Sequence, residues 1–95
     1  MTFLPLDGPA EEIELSVTTT PVVAKVNTSN LEERKVVTLQ AQDGQIRWGF
    51  TNAITSSKGF VAYKNQIITI EASDSQDVYV VAVSGTVKVY VAERG

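Results

Sequence analysis

Asp77-Val78-Tyr79-Val80-Val81-Ala82-Val83-Ser84-Gly85-Thr86-Val87-Lys88-Val89-Tyr90-Val91-Ala92-Glu93 is the stretch that decides the fold class. Two runs rich in Val and Tyr flank a Ser-Gly pair, the sequence signature of a tight β-hairpin. A turn at Ser84-Gly85 sets Thr86 opposite Val83, Ala82 opposite Val87, Val80 opposite Val89 and Val78 opposite Val91. Strand side chains alternate with period two, so Ala82, Val87, Val80, Val89, Val78 and Val91 lie on one side and form a wall of an apolar core. The other side is expected to pair Val81 with Lys88, Tyr79 with Tyr90 and Asp77 with Ala92. Strands this apolar invite aggregation as free edges, so they are expected to be central or paired across a subunit boundary.

The rest of the chain reads in the same period. Glu11 to Val17 alternates, with Ile13, Leu15 and Val17 on one side and Glu12, Glu14 and Ser16 on the other. Val22 to Val26 follows as a second strand, and the polar run Asn27 to Glu33 is a loop. Arg34 to Ala41 turns Val37, Leu39 and Ala41 inward. After Gln42-Asp43-Gly44 the chain returns with Ile46, Trp48 and Phe50 on one face, which reads as a second hairpin. Thr51 to Gly59 is a surface excursion and Phe60 to Tyr63 a short extended piece. Gln66 to Ala72 is a strand with Ile68, Ile70 and Ala72 inward, and Ser73 to Gln76 is a turn. Short strands with turn signals every eight to twelve residues and no helical period define an all-β chain. The expected architecture is a small antiparallel β-sandwich or jelly-roll-like barrel of seven to eight strands. Residues 11–95 form its single domain, and residues 1–10, with Phe3, Leu4 and Leu6 among Pro5, Gly8 and Pro9, form an extended arm docked on its own domain or on a neighbouring subunit.

Composition removes whole classes of function. The chain has 95 residues and no cysteine or histidine. Disulfides, thiolate metal sites and Ser-His or Cys-His nucleophiles are therefore excluded. The net charge is −3 and the eight Lys and Arg residues are scattered, so no basic face marks direct nucleic-acid binding. No apolar run is long enough for a spanning helix, and Met1 to Leu6 lacks the basic start of a signal peptide. A chain this short buries only about 60–65% of its unfolded surface, which favours association.

Little chemistry remains. Thr55-Ser56-Ser57-Lys58 has a hydroxyl-lysine spacing, but a Ser/Thr-rich loop yields that without a catalytic role. Glu71, Asp74 and Asp77 could offer oxygens to Ca²⁺, yet they lack the Asp-rich loop spacing and read as turn residues. Glu11, Glu12 and Glu14 read as the polar face of a strand. Asn27-Thr28-Ser29 is a glycosylation triplet without a secretion signal. Trp48 reads as core. With Tyr63 it could instead form a sugar-binding platform. Tyr79, Val81, Lys88 and Tyr90 are the residues of the mixed hairpin face and read as a partner contact. No cofactor is expected.

The order of signals resembles a group of small tailed-phage virion proteins. The likeness runs through Arg34, Val37-Thr38-Leu39-Gln40, Ile46-Arg47-Trp48-Gly49-Phe50, Gly59-Phe60, Ile68-Thr69-Ile70, Asp77-Val78-Tyr79 and Ser84-Gly85-Thr86-Val87-Lys88-Val89. It covers residues 34–93, and Ala41 stands where the pattern usually has Asn. The resemblance implies a non-enzymatic β-sandwich that decorates or cements a phage capsid or sits elsewhere in the virion, assembled in the host cytoplasm. The implied partner is the major capsid protein or another virion protein, and the implied state a homo-oligomer, dimer or trimer. Contact residues expected on this reading are Phe3, Leu4, Leu6, Tyr79, Val81, Lys88 and Tyr90. The competing reading is a carbohydrate-binding module or a tail or fibre component.

Overall fold

A computed structural model describes residues 10–95 as eight strands. They are β1 (Ala10–Val17), β2 (Val22–Val23), β3 (Val36–Ala41), β4 (Ile46–Gly49), β5 (Phe60–Ala62), β6 (Ile67–Glu71), β7 (Tyr79–Ala82) and β8 (Val87–Arg94). One sheet has the order β1-β8-β3-β6 and the other β2-β7-β4-β5, all antiparallel. The first strand pairs with the last, the second with the seventh, the third with the sixth and the fourth with the fifth. The chain is thus one long antiparallel ribbon folded at Phe50–Gly59 and rolled until β8 meets β3 and β7 meets β4. That wrapping is the jelly roll. Ala10 belongs to β1, and the arm read at Phe3, Leu4 and Leu6 otherwise lies outside the described residues.

Both hairpins expected from the sequence are corrected. β7 and β8 lie in opposite sheets, and so do β3 and β4. Alternation specifies which side chains turn inward, but not which sheet carries them. Val78, Val80, Ala82, Val87, Val89 and Val91 are all buried as expected, but they meet across the sandwich rather than within one sheet. Val37, Leu39, Ala41, Ile46 and Ile70 complete that core. Each fully buried Val contributes about 1.5–3 kcal/mol, an upper estimate before chain entropy is subtracted. The two strands are central in their sheets, which satisfies the constraint against apolar edges.

The crossing is held at one pole of the sandwich. The Gln42–Gln45 connection supplies the partners that a hairpin would have supplied. Val83 N donates to Gln45 O, Gln42 N donates to Lys88 O, and Lys88 N donates to Asp43 Oδ1 at 2.8 Å. Ala82 N donates to Thr18 O, which fastens the β1–β2 connection to the same pole. Gly85 turns the chain with φ +63°, a left-handed conformation, and a Cβ added there would meet nothing. Gly44 has the opposite problem. A Cβ there would stand 2.8 Å from Val87 Cγ2, a stiff and buried side chain.

These two glycines should fail differently. Gly85→Ala is expected to cost about 1–2 kcal/mol through backbone strain alone. Gly44→Ala should cost about 1–3 kcal/mol through overpacking. Urea unfolding checks both. Val87→Ala should relieve the second substitution and leave the first unchanged.

Candidate contact surface

The pole opposite this crossing is organised by charge. Glu93 continues the inward alternation of Val87, Val89 and Val91, so its carboxylate enters the sandwich, where it is fully buried. Arg34 Nη1 donates to Glu93 Oε2 at 2.7 Å, and neither side chain is exposed. Three further donors of Arg34 are used: Nε on Ala72 O, and Nη2 on Ser73 O and Gln76 O. Glu93 also accepts from Val26 N (2.9 Å) and Leu31 N (3.1 Å). One ion pair therefore ties β8 to the β2–β3 connection and to the β6–β7 turn. Around it, Asn30 Nδ2 donates to Asp77 Oδ1 and Asp74 O, and Glu33 N donates to Asp74 Oδ2. Asp74 and Asp77 are occupied in tying loops together, and no trio of acidic side chains among the described residues is placed to hold a metal. Asn30 Oδ1 is buried without a hydrogen-bond partner among the described residues.

The residues expected to share one contact face are distributed. Tyr79 and Val81 lie on β7, and Lys88 and Tyr90 on β8, so the two pairs belong to opposite sheets. Tyr79 is paired with Val23 and Gly49, not with Tyr90. Val81 is fully buried although it points away from the main core. The Phe50–Gly59 connection folds back over this outer face. Ile54 is buried there in space that Gly49 and Gly59 leave open, since a Cβ on Gly49 would come within 2.8 Å of Ile54 Cγ2. Arg47, opposite Val81, anchors the same connection by donating to Ser56 O and Gly59 O. Thr55 and Lys58 pair as an isolated bridge within it. The chain itself covers the surface that would have carried Val81.

Lys88 and Tyr90 do face outward, on the sheet surface shared with Glu12, Glu14, Gln40 and Thr69. Tyr90 sits between Glu14 and Gln40 and donates its hydroxyl to Glu12 Oε1. That hydrogen bond, then desolvation and the charge of Glu12, raise the Tyr90 pKa above the ordinary value of about 10. A raised pKa favours the protonated phenol in the folded chain. Its stabilising effect is present below the unfolded value and is lost as the pH rises through the folded one.

The apolar surface that remains lies elsewhere. Phe50, Phe60, Tyr63 and Ile67 are 42%, 59%, 63% and 65% exposed; Phe60, Tyr63 and Ile67 follow one lateral side of the sandwich, on β5, the β5–β6 turn and β6, and Phe50 lies just beyond β4. Both strands are sheet edges. At one end of this strip Trp48, in register with Phe60, stacks on it at 4.7 Å and meets Phe50 edge-on at 5.7 Å. The three rings, with Gly49, Ile54 and Gly59, line an open groove of about 360 Å³ whose one charged lining residue is Lys58. Trp48 itself is half-buried against the core. Phe50, expected inward, is not. It lies beyond the end of β4, where the edge of the opposite sheet no longer covers it. Missed in the sequence were Phe50 and Phe60 as surface, and Arg34 with Glu93 as a buried pair.

No family model, curated protein or solved structure matches the chain. Among the described residues, no helix is long and apolar enough to cross a membrane.

Two measurements check this account. Arg34→Met should lower the unfolding free energy by about 3–5 kcal/mol, because it strands a buried carboxylate. Glu12→Ala should bring the Tyr90 absorbance titration back towards the ordinary tyrosine range, whereas Glu14→Ala should move it less.

Proposed function

We propose that this chain is a non-enzymatic contact module, a structural virion protein that decorates or cements a phage head by binding its major capsid protein. The observation that carries this reading is the exposure of Phe60, Tyr63 and Ile67 on and between two sheet-edge strands, with Phe50 beyond β4, since large apolar side chains left in water mark interaction sites. The resemblance of residues 34–93 to tailed-phage virion proteins supplies the partner class. The net charge of −3 would steer docking onto basic shell patches. Jelly rolls serve as viral capsid and lectin domains alike, so the fold is compatible with the reading and does not choose it.

The groove at Trp48, Phe50 and Phe60 favours a second reading, a carbohydrate-binding module, because stacked rings suit the apolar faces of sugars. Tyr63, assigned to that platform from the sequence, lies further along the strip.

Co-sedimentation with assembled phage heads separates the two. The chain should pellet with heads, and Tyr63→Ser combined with Ile67→Ser should abolish pelleting while leaving stability within about 0.5 kcal/mol, as expected for surface positions. Reproducible glycan binding that is lost on Trp48→Ala, without head binding, would replace this reading with the second.

A further inference from the structure

We infer that the Phe50–Gly59 connection is a strap that lifts as one unit while the sandwich stays folded, and that closing it both covers Val81 and builds one wall of the aromatic groove. The first argument is how little holds it down. Thr55 N donates to Lys58 O and Lys58 N to Thr55 O, while Ala53 N and Ser57 N donate to the hydroxyls of Thr51 and Thr55. These bonds tie the strap to itself. Among the described residues, its hydrogen bonds to the strands all come from one side chain, Arg47, through Nε to Ser56 O at 3.1 Å and Nη1 to Gly59 O at 3.0 Å. Ile54 is the one side chain of the strap that is buried. Neither Ile54 nor Val81 belongs to the core between the sheets. Lifting therefore breaks two hydrogen bonds and frees one isoleucine without disturbing that core. Segments held this way open at a free energy below that of global unfolding.

The second argument is that both roots of the strap are built for the movement. Ile54 sits in space left by two glycines, since a Cβ on Gly49 would stand 2.8 Å from Ile54 Cγ2 and one on Gly59 3.3 Å from it. Gly59 has φ +137°, a backbone region that L side chains rarely adopt, and glycine pivots there at little cost. The two positions of the strap present different surfaces. Trp48 and Phe60 line the groove from the sandwich, and Phe50, Ile54 and Lys58 line it from the strap. Lifting takes the groove apart and uncovers Val81, which lies beside Arg47 on the outer face. A ligand in the groove would thus hold the strap closed, by favouring the state that contains its site. The inference concerns the free chain and does not depend on the virion reading.

The chain has no cysteine, so a single introduced thiol reports its own exposure. Val81→Cys places it under the strap, and Val80→Cys, one residue earlier, places it in the core between the sheets. Each full-length variant is reacted with an aromatic disulfide reagent in buffer and in low urea. Val81→Cys should react at least about tenfold faster than Val80→Cys and depend only weakly on urea, because a local opening exposes little surface. Equal rates with the same steep urea dependence would overturn the inference. Should either variant lose its cooperative melt, hydrogen exchange of the unsubstituted chain replaces it. The Thr55 and Lys58 amides should then share one opening constant that is weakly dependent on urea. Exchange of that pair only through global unfolding would overturn the proposal, as would two unrelated opening constants.

Discussion

The buried pair of Arg34 and Glu93 is the constraint on which the rest of the architecture depends. A rolled ribbon must bring its two ends and its long connections to one pole, and there the backbone runs out of strand partners. Glu93 is the eighth strand's contribution to that pole and Arg34 is the third strand's approach to it. Between them they satisfy two amide donors and three carbonyl acceptors that no strand serves. A buried ion pair contributes little net stability against an apolar substitute, because desolvation offsets attraction. Its role is specificity. With all these bonds made, the β2–β3 and β6–β7 connections have one arrangement, and the strands that follow them enter the correct sheets.

That arrangement leaves the two lateral sides of the sandwich unlike each other. On one side the edge strand β1 carries Glu12 and Glu14 on its outward face, which discourages pairing with another chain. On the other, β5 and β6 present Phe60, Tyr63 and Ile67. The second side is the more apolar, although Ile13 on β1 is also 37% exposed, and the long Phe50–Gly59 connection, the fold point of the ribbon, lies at its end. Its inner surface is spent on covering Val81 through Ile54 and Arg47, so the sheet bearing the groove is closed on its back and open at its edge.

Much of the fold was legible in the sequence because period-two alternation is a local property. The inward sets of β3, β6, β7 and β8 could be read residue by residue, as could the turns at Gly44, Asn65 and Gly85, and on β1 Leu15 and Val17 turn inward while Ile13 is 37% exposed. What alternation cannot show is whether two consecutive apolar strands join hands or face each other, since both arrangements bury the same valines. Ser84-Gly85 reads as a hairpin turn, and the information that it crosses layers resides in Asp43 and Gln45, far away in sequence. The contact surface was harder still. Tyr79, Val81, Lys88 and Tyr90 were grouped by that hairpin register and separated with it. Glu93 was within reach, because one more step of the alternation after Val91 points it inward. Arg34 lies outside its strand and carries no such signal, and the exposure of Phe50 and Phe60 follows from where the opposite sheet ends.

The role of the buried pair is tested most directly by native-state hydrogen exchange at the Val26 and Leu31 amides. Both lie in a connection without regular structure and donate to the Glu93 carboxylate. They should exchange only through opening close to global unfolding, as slowly as amides of β3 and β8, and far more slowly than those of Thr28 and Ser29 between them. Exchange of Val26 and Leu31 at the rate of their loop neighbours would show that the pair does not hold the pole, and would contradict the account.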